Sequence, residues 1–180
     1  MSVIDMAGHL IRRLHQQSTQ VFAQRTAAAG FDLTPVQYAA LEAIYEHPGT
    51  DQKFVAEMIG YDRATIGGVI ERLERKGWVR RVVSEQDRRA RELSLTAKGN
   101  STRLALQPVV RELQKEILRP LSEADQELLI GLARQVVLSA QPPESPLSSA
   151  WRAHRHRMRV NPYSDHIVSI LTIMVSVLSK

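Results

Sequence analysis

Arginine is concentrated where it could do chemistry: between positions 63 and 91 the chain carries Arg63, Arg72, Arg75, Arg80, Arg81, Arg88, Arg89 and Arg91. A guanidinium is planar, permanently charged and forked, so it pairs with phosphate oxygens and with the two acceptors of a guanine edge. Asp62 stands in an N-cap position, and Ile66, Val69, Ile70 and Leu73 recur at the three and four spacing of one buried helical stripe. The opposite side holds Arg63, Ala64, Thr65, Gly67, Gly68, Arg72 and Arg75, a small, polar and basic surface with nothing large enough to need burial. Such a helix fits a B-form major groove, where residues of the first turn reach base edges and the helix dipole favours the flanking phosphates. Arg63 and Thr65 are the strongest candidates for those contacts. Gly67 and Gly68 each cost about 1 kcal/mol against Ala in a helix interior, which asks for a reason: close approach to DNA, or close packing against a neighbouring helix.

The helix stops at Lys76-Gly77, and Trp78 to Val83 reads as a strand by its β-branched and aromatic content. A second strand, Arg91 to Leu95, returns after a polar tip from Ser84 to Ala90. Arg80 and Arg81 alternate faces, so one of the two meets phosphate. Arginine at the end of a hairpin suits the narrow, electronegative minor groove of A·T-rich DNA; otherwise the same run serves as a charged strand edge that blocks aggregation.

Other chemistry has little support. The chain has no cysteine, so disulfides, thiolate metal sites and a cysteine redox switch are excluded. The body holds no His-x-x-x-His pair, and His154-x-His156 alone falls short of a metal site. No phosphate-binding glycine loop, nucleophile elbow or dinucleotide fingerprint is present, so neither an enzyme nor a cofactor is expected. Net charge adds little to the case. Residues 141–180 hold five of the 24 basic and two of the 19 acidic residues, which leaves the body at 19 against 17.

These residues need a frame. Residues 3 to about 27 form a first helix, apolar over a broad arc through Ile4, Leu10, Ile11, Leu14, Val21 and Phe22. Thr34-Pro35 starts a second, through Val36, Tyr38, Leu41 and Ile44, which Pro48-Gly49 ends. Asp51 caps a short third helix, and Gly60-Tyr61 turns into the helix at Asp62, a helix-turn-helix arrangement. Thr96 to Gly99 opens a long helix in which Pro108 predicts a kink or break. Ser122 to Asp125 starts a last helix bearing Leu128, Leu129, Leu132, Val136 and Val137. The terminal helices carry more apolar surface than a small winged helix can cover, and a second copy, an isologous homodimer, is the simplest remedy. The fold class expected is mainly α with a small β-hairpin wing, divided into a helical dimerisation region (1–30 and 98–140), a winged helix-turn-helix (31–97) and an atypical extension (141–180). That extension reads as poorly conformed and dispensable; a dimer-stabilising helix or a membrane-surface contact are the other readings. Its apolar run of twelve, Ile167 to Leu178, is too short for a bilayer, which needs ~20 residues, so no stable membrane insertion is expected. With no signal peptide at the N-terminus, a cytoplasmic location is expected.

This order of elements resembles the MarR-type winged helix-turn-helix regulators over about residues 5–140. LTPVQYAALEAI is similar to that family's second helix, DRATIGGVIERLERKGWVRR to its recognition helix and first wing strand, and SEQDRRARELSLTAKG to its wing and the entry to the fifth helix. The resemblance implies a transcriptional regulator, most often a repressor, that binds a pseudopalindromic double-stranded DNA operator as a homodimer. It implies that Arg89 enters the minor groove while Asp87 orients the wing beside Arg88. It also implies a small effector, often phenolic or an aromatic carboxylate, held between the dimerisation helices and the winged lobe. His9, Arg12 and Arg13 on the first helix, and Tyr38 facing out from the second, are the candidates to line that pocket. A winged-helix module that docks another protein, without specific DNA binding, is the alternative, and it would leave the wing arginines idle.

Overall fold

Side-chain caps set the start of five helices in the computed structural model, which describes residues 2–83 and 91–160, the last seven of these as backbone only. A short 3-10 turn (Val3–Asp5) precedes α1 (Ala7–Ala28), followed by α2 (Pro35–Glu46), α3 (Gln52–Ile59), α4 (Arg63–Arg75), β1 (Val79–Val83), β2 (Arg91–Leu95), α5 (Ala97–Ile117), α6 (Glu123–Ser139) and α7 (Pro146–Val160). At α2 the cap is reciprocal: Thr34 Oγ1 accepts from the Gln37 N–H while Gln37 Oε1 accepts from the Thr34 N–H. Asp51, Asp62, Thr96 and Ser122 each accept from the N–H three residues on. Between α3 and α4, Gly60 takes a left-handed conformation (φ 72°) that favours glycine. The strands pair antiparallel from Val79↔Leu95 to Val83↔Arg91. Thr50 adds a bridge to Leu93, through Gly49 N–H to Leu93 O and Leu93 N–H to Thr50 O, so the wing is stitched to the loop after α2.

α2 is the centre of the fold. Every residue from Gln37 to Ile44 is buried, because α1, α3, α4, α5 and β2 all pack around it. Leu41 and Ile44 share the core cluster with the α4 stripe of Ile66, Ile70 and Leu73, and all are fully buried; each contributes roughly 1.5–3 kcal/mol by leaving water. The mainly α architecture with one two-stranded wing is the one expected. Three details differ. Pro108 does not break α5, which continues through it to Ile117: its ring lies on the exposed side, one donor is lost, and buried Leu106, Val110 and Leu113 hold the turns on either side. The first helix begins at Ala7, after the 3-10 turn. Residues 146–160 are helical, where a poorly conformed segment was expected, and the first turns are packed: Leu147 and Ala150 lie against the core, and Arg134 of α6 stacks over the Trp151 ring at 4.0 Å. Among the described residues, no helix is long and apolar enough to cross a membrane.

Candidate nucleic-acid interface

The first turn of α4 is presented to solvent by its cap. Asp62 Oδ1 accepts the Thr65 N–H at 2.8 Å, and the Thr65 hydroxyl donates to Asp62 Oδ2 at 2.5 Å. That hydroxyl first, and then the N–H, hold the Asp62 carboxyl below its usual range. Thr65 thus spends its donor on the cap and keeps its methyl group and acceptor lone pairs for a ligand. Arg63, Ala64, Thr65 and Arg72 are exposed, and Ala64, Gly68 and Arg72 follow one another at four-residue spacing on the side away from Ile66, Val69, Ile70 and Leu73. The structure leaves Arg63, Ala64, Thr65 and Arg72 on the solvent side of α4.

The two glycines separate. A Cβ on Gly67 would lie 3.1 Å from Gln52 Nε2, which donates to the Arg63 carbonyl at 2.8 Å. Gly67 therefore makes room for the tie that holds α3 against the start of α4. A Cβ on Gly68 would meet nothing within 4 Å, so protein packing gives no reason for that glycine. In the wing, Arg80 is exposed and its Nε donates to Ser94 Oγ at 3.0 Å, whereas Arg81 pairs with Glu74 of α4 at 3.2 Å. Of these two, Arg80 is the one available to phosphate. Asp87, Arg88 and Arg89 lie outside the described residues.

The residues expected to line an effector pocket do not form one group within a single chain. His9 is half-buried and Arg12 and Arg13 are exposed, with Arg13 Nη1 3.5 Å from Gln16 Oε1. Tyr38 does not face out. It is fully buried, its ring 6.1 Å from that of Phe22, because α2 has no solvent side at that level. Phe22 is thirteen residues, or ~20 Å of helix, from His9 along α1. Burial first, and then the Glu42 carboxylate, push the Tyr38 phenol well above its ordinary ionisation range. Glu42 itself accepts from Arg103 of α5 at 3.2 Å, both buried, and the Arg103 guanidinium lies 3.5 Å over the Tyr45 ring.

Sequence reasoning missed His15 and Thr19. They share the α1 stripe of Phe22 by spacing, and among the described residues His15 Nδ1 and Thr19 Oγ1 are shielded from water without a hydrogen-bond partner, while the Tyr38 hydroxyl, equally shielded, is turned toward the Glu42 carboxylate. Unmade bonds at buried polar atoms cost about 1–3 kcal/mol each. The available signal was polar residues at positions 15 and 19 on the stripe that ends in Phe22.

A profile described as the MarR family matches residues 31–90. The transcriptional regulator HosA of Escherichia coli O157:H7 is 34% identical over 137 residues, covering 76% of this chain and 98% of that protein. The solved PcaV transcriptional regulator of Streptomyces coelicolor, in complex with its natural ligand, is 33% identical with a TM-score of 0.71 over 78% of this chain and 98% of its own. Bordetella bronchiseptica BpsR, solved in a study of how 6-hydroxynicotinic acid regulates its DNA binding, has a TM-score of 0.72 at 25% identity over 79% and 99%. With the capped, exposed α4 and the hairpin beside it, these likenesses establish that the chain belongs to the MarR family of non-enzymatic, DNA-binding transcriptional regulators.

Proposed function

We propose that this regulator is a repressor that binds a pseudopalindromic operator as a homodimer and is released by a small aromatic carboxylate. The observation that carries the dimer is unpaired apolar surface at the two ends of the chain's body. Leu10, Ile11 and Leu14 on α1, and Leu128, Leu132 and Val136 on α6, are all between 37% and 67% exposed. Large apolar patches on a folded body mark interaction surfaces, and a twofold pairing of the 1–30 and 98–140 helices would cover both. Residues 31–97 then act as the winged lobe. Two α4 helices would enter successive major grooves with half-sites about one helical turn apart, ~10 bp. In each lobe Arg63, Ala64, Thr65, Gly68 and Arg72 face the major groove, Arg80 meets phosphate, and Asp87, Arg88 and Arg89 serve the minor groove. Gly67 acts through packing. A dimer seated on a promoter excludes polymerase, hence repression.

The effector is the finer part of the reading. What is said of BpsR and 6-hydroxynicotinic acid, an aromatic acid, supports it by likeness. His15 and Thr19 offer unsatisfied polar atoms for a phenol or ring nitrogen. Arg12 or Arg13 with His9 would supply the carboxylate partner; Arg12 stands three residues before His15 and seven before Thr19 on α1, so it shares their face and can act from the same chain. The effector shifts DNA affinity only if it binds one dimer geometry better than the other.

The test starts from the duplex this protein selects out of a random pool. Arg63→Ala is expected to weaken binding by about 1–3 kcal/mol and to relax preference at one base position. Aromatic carboxylates, 6-hydroxynicotinic and hydroxybenzoic acids among them, should release the unaltered protein, and His15→Ala with Arg12→Ala should block release while leaving apo binding intact. Equal binding to all duplexes would favour the protein-docking alternative.

A further inference from the structure

We propose that the cleft between α6 and α7 is a second ligand site, taking a small aromatic carboxylate with Arg134 at its charged end and an apolar wall along its ring. It does not depend on the operator or effector readings above. The cleft has a volume of about 550 Å³, within the range of roughly 300–1,000 Å³ usual for small-molecule sites. Gly131, Arg134 and Leu138 of α6 and Ser148, Trp151 and Arg152 of α7 line it, and no acidic side chain does. Two cations thus share one small volume with no anion on its walls.

Both cations are held ready for a carboxylate. Arg134 lies 4.0 Å over the Trp151 ring; that contact uses the flat face of the guanidinium, while its N–H donors point outward in the plane. Among the described residues no carboxylate pairs with Arg134. Burial pulls its pKa below the ordinary value, the mark of a cation partly removed from water, and an anion at its edge would offset that cost. Arg152 is pinned as well, since Nη1 donates to the Pro143 carbonyl at 2.7 Å and Nη2 to Ser149 Oγ at 3.0 Å. Each of those nitrogens keeps a second N–H. Forks already immobilised bind an anion with little further loss of side-chain freedom. Leu138 and Trp151 add apolar surface, which favours an acid with a ring over an inorganic ion.

Gly131 points the same way independently. A glycine inside a helix destabilises it relative to alanine, and a Cβ here would meet nothing within 4 Å. Packing within the chain gives no reason for it, whereas a side chain would intrude on the cleft. Gly131, Arg134 and Leu138 recur at three and four spacing on a different side of α6 from Leu128, Leu132 and Val136, so the surface assigned to the dimer is not this one. The relatives described above match 76–79% of this chain, and the family resemblance ends near residue 140, before α7. One wall of the cleft therefore belongs to this chain's extension.

The test is calorimetric titration of the full chain with 2-naphthoate, its neutral amide and acetate. Naphthoate should saturate a site that Arg134→Gln weakens by roughly 10- to 100-fold, the value of hydrogen bonds to a charged group. The amide should bind about tenfold more weakly or worse for the same reason, and acetate, which lacks the ring, should not saturate over the same range. Gly131→Leu fills the cleft from the α6 side and should abolish binding with thermal stability kept or raised and sedimentation mass unchanged. His15→Ala with Arg12→Ala should leave this binding intact, which separates it from the effector site on α1. Equal binding of acid and amide, or naphthoate binding that neither Arg134→Gln nor Gly131→Leu alters, would overturn the inference. So would a Gly131→Leu variant that changes mass and keeps the ligand, which would make the glycine part of a contact between copies.

Discussion

A single methyl group has opposite consequences at Gly68 and Gly99. At Gly68 it meets open space, so Gly68→Ala should raise stability by up to ~1 kcal/mol in urea denaturation. The same methyl would stand in the stripe proposed to face the groove, and operator affinity should fall about tenfold or more, the cost of one spoiled base contact. Separating these two readouts tests why the glycine is there. At Gly99 a Cβ would lie 1.9 Å from the Trp78 carbonyl oxygen and 2.7 Å from its carbon, and backbone cannot swing aside as a side chain can. Gly99→Ala should therefore cost about 3 kcal/mol, the upper range for overpacking, measured in the same way. Asp62 and its exposed neighbours were legible because capping and face are local properties. The reason for Gly67 was not, since Gln52 comes from another helix. The Tyr38 placement failed for a related cause: spacing shows which side of α2 is apolar, not that five elements leave it no polar side.

The buried Glu42–Arg103 pair joins α2 of the winged lobe to α5, the helix assigned to dimerisation. Such a pair adds little net stability, because desolvation offsets most of the attraction, yet removing one partner strands a buried charge at a cost of about 3–5 kcal/mol. Arg103→Met should show that loss in thermal or urea unfolding, and adding Glu42→Leu should recover most of it. If the pair fixes the angle between the two helices, the double variant will be stable but will bind the operator with altered half-site spacing, read by selecting duplexes again. Five helix starts were visible in the sequence because Ser, Thr and Asp caps act within three residues. α7 was hidden by its composition: its proline- and serine-rich entry resembles a linker, and the partners that order it, α3 and α6, lie far away in sequence.

In the whole molecule, the apolar residues left exposed on α1 and α6 are the surface the proposed dimer would cover, and in that reading assembly is the condition for DNA recognition. Leu128→Glu with Leu132→Glu should halve the sedimentation mass and lower operator affinity by about 10²- to 10⁴-fold, the usual gain from linking two binding events. An unchanged mass would place the interface elsewhere. The proposed dimer would have to carry changes at its helices to its reading heads, and the junction at Gly99 bears on how. The start of α5 sits against the Trp78 backbone with no room for a methyl, and the Thr96 hydroxyl donates to the Gly77 carbonyl at 2.7 Å. With Leu93 also bridged to Thr50, there is no slack between α5 and the hairpin. In the proposed dimer a tilt of α5 would be transmitted like motion through a shaft without backlash, so a displacement too small to disturb packing at one end would swing the wing out of its groove.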